Sequence, residues 1–169
     1  MTNEQRRKEI LAILTSADKA ISATTLAERF SVTRQIIVAD IALLRAAGSS
    51  IRAEHRGYVI DRQHKGIQKQ IVCAHDKEGV RSEFYAIVDN GGVVLDVQVE
   101  HPVYGQICAN MSIASRYDAD EFIRISGESG ASQLSDLTGG IHIHTITVPD
   151  EQSFERICAA LGALGVLVG

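Results

Sequence analysis

The hydrophobic pattern of the first sixty residues runs at helical period three times and then drops to two. Ile10, Leu11 and Leu14 fall at helical spacing within 3–16, and Leu26, Ala27 and Phe30 do so behind a capping Ser22 or Thr24. Thr33 caps a third helix whose inward stripe is Ile37, Ile41 and Leu44, and Gly48 ends it. Only Ser31 and Val32 separate the second and third helices, so the two must cross steeply, as in a helix-turn-helix. From Ile51 to Ile60 the pattern reads as two short strands around an Arg56-Gly57 turn, the wing of a winged helix.

A polar stretch at 61–66 interrupts the pattern, and the rest reads β-α-β-β-α-β-α. Strands are expected at 69–74, 93–101 and 105–113, the last two joined by the turn from His101 to Gly105. Helices are expected at 77–90 and 118–126. A Ser/Gly-rich loop follows, then the β-branched run GGIHIHTITV at 139–148 and a last helix from 151. The helices present Phe84, Ile87, Val88, Phe122, Ile125, Ile157 and Leu161 at helical spacing. The fold class expected is α+β: an N-terminal winged helix-turn-helix domain at 1–61, a linker at 62–69, and at 70–169 an α/β sandwich with a mainly antiparallel sheet.

Composition adds the setting. A chain of 169 residues with 45% hydrophobic content can bury a core in one ordinary domain or two small ones. No run of about 18 apolar residues is present to span a bilayer, and the polar start MTNEQRRKEI lacks the apolar segment of a signal peptide, so a cytoplasmic protein with no membrane partner is expected. Cys73, Cys108 and Cys158 are odd in number and each stands among apolar residues, which suits reduced, buried thiols.

Charge divides sharply along the chain. Residues 1–69 hold 12 Lys and Arg against 7 Asp and Glu, while residues 70–169 hold 5 against 14. A basic front suits a polyanion, and an acidic rear suits a cation or small ligand. On the third helix the inward stripe leaves Thr33, Arg34, Gln35, Val38 and Ala39 on or near the outer, N-terminal face. Arg34 can pair with guanine and Gln35 with adenine in the major groove, Thr33 and the helix N-terminus can hold a phosphate, and Arg56 in the wing can reach a phosphate or the minor groove. Specific reading normally pairs two half-sites, so a homodimer on double-stranded operator DNA is expected.

The second half offers different chemistry. In a strand, His142 and His144 share one face while Ile141 and Ile143 take the other, and two adjacent imidazoles read either as a solvent-facing pair or as two arms of a metal site. His75 at a strand end and Glu83 in the next helix are two further candidates. His101 reads either as a turn histidine held by a backbone group or as a residue lining an effector pocket. The 137–140 loop could offer backbone N–H groups to an anion.

The stretch TLAERFSVTRQIIVADIALLRAAG followed by RGYVI resembles the helix-turn-helix of the biotin repressor and its relatives. AHDKEGVRSEFYAIVDNGG, DVQVEHPVYGQI and LTGGIHIHTI resemble the three-histidine (3H) domain that follows this type of helix-turn-helix in the niacin-responsive repressors. The resemblance implies a metal-containing repressor of genes for NAD biosynthesis or niacin uptake, with nicotinic acid as co-repressor. It implies His75, Glu83, His142 and His144 as ligands of a divalent transition metal; three nitrogens and one oxygen suit Zn, Ni, Fe or Mn. Two rivals remain: a metal-responsive regulator, and a metal-dependent hydrolase, for which no general base at catalytic spacing is visible.

Overall fold

Thr2 opens the first helix with a capping box: its hydroxyl accepts from Gln5 N while the Gln5 side chain accepts from Thr2 N, starting α1 (Asn3–Ser16). Ser22, not Thr24, caps α2 (Ala23–Phe30), its Oγ accepting from Thr25 N at 3.0 Å. Thr33 Oγ1 accepts from Ile36 N at the start of α3 (Arg34–Ala46). Between them Ser31 takes φ 52°, the left-handed conformation that lets two helices reverse within two residues. Strands β1 (Ile51–Glu54) and β2 (Gly57–Ile60) pair antiparallel, and Ile21 bridges to Tyr58. Ile10, Leu14, Leu26, Phe30, Ile37, Ile41, Leu44 and Ile51 make the core of this unit.

The computed structural model describes residues 1–60 and 66–169, and the chain divides into two compact units, Met1–Gln63 and His64–Gly169. Residues 62–65, half of the linker expected at 62–69, therefore lie outside the described residues. Residues 67–69 are already strand: β3 is Ile67–Ala74.

After β3 come a 3-10 turn at Lys77–Gly79, α4 (Val80–Val88), β4 (Val93–His101), β5 (Gly105–Ile113), α5 (Arg116–Ser129), a 3-10 turn at Leu134–Thr138, β6 (Ile141–Val148) and α6 (Glu151–Ala163). The four long strands form one antiparallel sheet in the order β3-β6-β4-β5, so the histidine strand lies between β3 and β4. One face of the sheet, with Ile71, Cys73, Val94, Met111, Ile113, Ile146 and Val148, packs against Val80, Phe84, Ile87, Ala119, Ile157 and Leu161 from the three helices. Ile123 rather than Ile125 packs against this core from α5. The helix expected over 77–90 is split, because Asp76 Oδ1 accepts from both Glu78 N and Gly79 N and tightens the first turn to 3-10. No helix among the described residues is long and apolar enough to cross a membrane.

The expectation of three buried thiols is corrected for one of them. Cys73 is buried and Cys158 half-buried, but Cys108 is exposed. Its register partner Gln98 faces Ile143, so Cys108 shares the sheet face opposite His142 and His144.

Candidate metal centre and DNA-reading helix

Strand β6 inverts the usual rule for a half-buried strand. Ile141 is 53% exposed, while His142 and His144 are 3% and 2% exposed on the helix-covered face. Ile146 and Val148 share the histidines' face and fill the core, so the strand cannot slip by one residue without turning its apolar end outward. Antiparallel pairing sets Cys73 opposite His142, which brings His75, just past the end of β3, edge-on to His142 with ring centres 4.9 Å apart. The His142 and His144 rings stand 4.8 Å apart. Glu83, in the first turn of α4 and 1% exposed, enters among all three.

The three rings converge on that carboxylate through one atom type. His75 Nε2 lies 2.6 Å from Glu83 Oε2, His142 Nε2 lies 3.3 Å from Oε1 and His144 Nε2 lies 3.4 Å from Oε1. Each ring is held on its far side by a backbone carbonyl: His75 Nδ1 by Asp76 O at 2.6 Å, His142 Nδ1 by Gly140 O at 2.9 Å, and His144 Nδ1 by Asp96 O at 2.6 Å. A carbonyl can only accept, so the network assigns the proton to each Nδ1. A neutral imidazole then turns its Nε2 lone pair towards Glu83. Three lone pairs and a carboxylate cannot satisfy one another, and the arrangement requires a cation, either a shared proton or a metal ion.

The electrostatics follow. Burial by itself would raise the Glu83 pKa, but the charge of His144 and hydrogen bonds from His142, His144 and His75 outweigh it and hold the carboxyl well below its ordinary value. The hydrogen bond to Glu83 raises His75, against the opposing effect of burial. Burial would lower His144, yet attraction to Glu83 leaves it raised. His75, Glu83 and His142 offer ligand atoms all within 4.8 Å of one another, and His144 reaches the same carboxylate. This donor set fits a divalent transition ion.

Backbone details build the site, and among them only the glycines leave a mark in the sequence. A one-residue register shift in β4 against β6, between Val94 and Gln98, falls where the Asp96 carbonyl meets His144, while Asp96 Oδ1 accepts from Thr145 N at 2.9 Å. Gly79 and Gly140 close around His75: a side chain at Gly79 would meet the His75 ring at 2.7 Å, and one at Gly140, where φ is 96°, would collide with the His75 carbonyl. Cys73, also missed as a neighbour, hydrogen-bonds to Glu83; burial and that negative charge push its thiol pKa far up and keep it neutral.

On the effector side the geometry agrees with one reading of His101 and departs from the expectation for the 137–140 loop. His101 Nδ1 accepts from Val103 N and Tyr104 N at 3.2 and 3.3 Å, so its ring is the turn histidine held by backbone groups, with its proton on Nε2. The loop N–H groups of Gly139 and Gly140 both donate to Ser135 O, closing the 3-10 turn, and are not available to an anion.

In the N-terminal unit Arg34 and Gln35 are exposed in the first turn of α3, and Thr33 precedes them as the cap. Arg56 occupies the turn between β1 and β2, half-buried rather than projecting freely. Missed entirely was a buried ion pair that ties α1 to α3. Arg6 Nε lies 2.6 Å from Asp40 Oδ2, with Arg7 Nη1 at 3.5 Å from Oδ1. Partners 34 residues apart leave no local pattern to read.

Comparison with known proteins gives these two units their context. A 3H domain model matches residues 68–169 and an HTH domain model matches residues 6–59. The chain is 39% identical over 165 residues to the probable transcription repressor NiaR of Thermotoga maritima, covering 98% of this chain and 94% of the relative. It is 38% identical over 167 residues to the transcription repressor NadR of Bacillus subtilis, covering 96% and 93%. The chain belongs to this family of transcription repressors, in which a helix-turn-helix domain precedes a 3H domain, and it is a DNA-binding regulator, not an enzyme.

Proposed function

We propose that the protein is a metal-containing repressor that responds to nicotinic acid and controls genes of NAD biosynthesis or niacin uptake. It binds operator DNA as a homodimer, with Thr33, Arg34, Gln35 and Arg56 at the duplex. The observation that carries the metal reading is the shared orientation of three buried imidazoles, each with Nδ1 committed to a carbonyl and Nε2 turned to Glu83. His75, Glu83, His142 and His144 hold the ion, which supplies a Lewis-acidic position for an effector donor atom. Nicotinate adds an anionic carboxylate, for which the Nε2–H of His101 is the donor. The niacin assignment rests on the resemblance of the chain to the niacin-responsive repressors and is supported by its similarity to NiaR and NadR.

A ligand shifts an equilibrium only by its differential affinity for the two states, and coupling of this kind is usually about 1–3 kcal/mol. Saturating nicotinate is therefore expected to tighten operator binding by roughly 5–150-fold, and operator DNA to tighten nicotinate binding equally. Nicotinamide lacks the charge and acts weakly. Titration of metal-loaded protein with operator in the presence of nicotinate, nicotinamide or neither tests this. Equal affinity in all three rejects niacin as signal, and a response to metal alone selects a metal-responsive regulator.

A further inference from the structure

The outer face of α3 is unusual for a helix that meets DNA, because beyond its first turn it is almost bare of polar side chains. At about 100° per residue, Gln35, Ala39, Ala42 and Ala46 lie farthest from the buried stripe of Ile37, Asp40, Ile41 and Leu44. Val38, 39% exposed, flanks this ridge towards Arg34. Asp40, the one carboxylate of α3, is 3% exposed and neutralised by Arg6 and Arg7, so no exposed acid on the helix opposes a polyanion. Arg45 is turned aside, donating to Ile51 O at 2.8 Å with its guanidinium 5.7 Å from the Tyr58 ring centre.

A ridge of methyl groups does two things in a major groove. It keeps the helix slim enough to approach the base edges, since a helix with its side chains is about 10–12 Å across and the groove about 12 Å wide. It also has one favourable partner there, the 5-methyl group of thymine, whereas guanine and cytosine offer only polar atoms that it cannot satisfy. Gln35, at the head of the same ridge, matches adenine. We infer that α3 reads A·T-rich half-sites through thymine methyls, with Val38 and Ala39 as the methyl-contacting residues and Gln35 as the adenine reader. This rests on the operator-binding reading above and specifies what that helix recognises.

The test uses the full-length protein to select duplexes from a random pool, followed by affinity measurements on the enriched duplex. Enriched half-sites are expected to be A·T-rich, and replacing a contacted thymine by deoxyuracil, which removes only the 5-methyl, to weaken binding about fourfold, the effect of one buried methylene-sized group. Val38→Ser, which removes both γ-methyls and leaves a hydroxyl at an exposed position, should weaken binding and abolish the deoxyuracil effect at one thymine per half-site. Leu43→Thr, elsewhere on the same helix, should leave every deoxyuracil effect in place. Uracil tolerated at all positions, G·C-rich half-sites, or losses that add independently to that of Val38→Ser would overturn the methyl reading while leaving DNA binding intact. Failure to enrich any sequence would overturn both readings together.

Discussion

Glu83→Gln separates the two cations that the buried cluster can accept. In the metal-free protein His75 and His144 have pKa values raised by Glu83, above an unfolded value of about 6.5. Their contribution to stability is complete below that value and is lost as pH rises through the folded pKa values. Glu83 is depressed, so its contribution is complete above about 4.3 and is lost as pH falls through its lower folded value. Metal-free protein is therefore most stable between about pH 4.3 and 6.5 and weakens above that window. Metal-loaded protein should behave oppositely there, because protons compete with the ion for the same Nε2 atoms and their loss strengthens coordination.

The size of the effect follows from mass action. An ion at a hundred times its Kd stabilises the folded state by about 2.7 kcal/mol, and a domain of about this size shifts about 4–8 °C per kcal/mol, which gives roughly 10–20 °C. Loss of even an outer partner of a metal ligand weakens affinity about 10–100-fold, so at the same ion concentration the Gln variant keeps no more than about 0.4–1.4 kcal/mol. Its amide can donate to the Nε2 atoms, so the metal-free variant loses the need for a protonated ring and should be nearly flat in stability above about pH 6.5. Calorimetry of the full chain at several pH values, with chelator and with a divalent ion, reads all of this. Equal metal-induced shifts in wild type and variant, or metal-free wild type gaining stability as pH rises above that window, would refute the reasoning.

Three further predictions concern other parts of the chain. Arg6→Ala removes the nearer of the two cations on the buried Asp40 carboxylate, leaving Arg7 at 3.5 Å, and should destabilise the N-terminal unit by up to about 3–5 kcal/mol in urea unfolding, leaving metal content unchanged. Gly140→Ala forces a side chain into the His75 carbonyl at a positive φ, and should lower metal affinity measured calorimetrically while His142 and His144 are untouched in sequence. Arg34→Ala should weaken operator binding by about 1–3 kcal/mol and relax the preference at one base pair of each half-site, whereas Arg56→Ala should weaken binding to all sequences alike in the same gel-shift series.

How much of this was legible in the sequence depended on the range over which each interaction acts. The caps of α2 and α3 are signalled within three residues of the hydroxyls that make them, and Thr33 is placed correctly, while Ser22 against Thr24 is decided only by which hydroxyl reaches an N–H. Alternation alone predicts that His142 and His144 share a face, but a solvent-facing pair obeys the same period, and the choice of the inward face comes from Ile146 and Val148 further along β6. The helix expected after β3 is too long because nothing in the residue types of Lys77–Gly79 forbids a helical turn, whereas the competing Asp76 side chain draws the chain there into a 3-10 turn. That turn also brings Gly79 against the His75 ring.

The least legible part is the part that gives the cluster its chemistry. Histidine and glutamate at the right positions are compatible with a solvated patch, a satisfied core network or a metal site, and the partners of Nδ1 narrow these to a cluster that needs a cation. Those partners are the carbonyls of Asp76, Gly140 and Asp96, atoms that every residue possesses and that no residue type announces. Two are set by backbone irregularities, the bulge in β4 and the left-handed glycines before β6, so the orientation of the ligands is encoded in departures from regular structure. His101 shows the converse. Its motif position leaves both a turn histidine and a pocket residue open, and because two backbone N–H groups occupy its Nδ1, any effector contact must use Nε2 as a donor, which limits that contact to an acceptor such as a carboxylate.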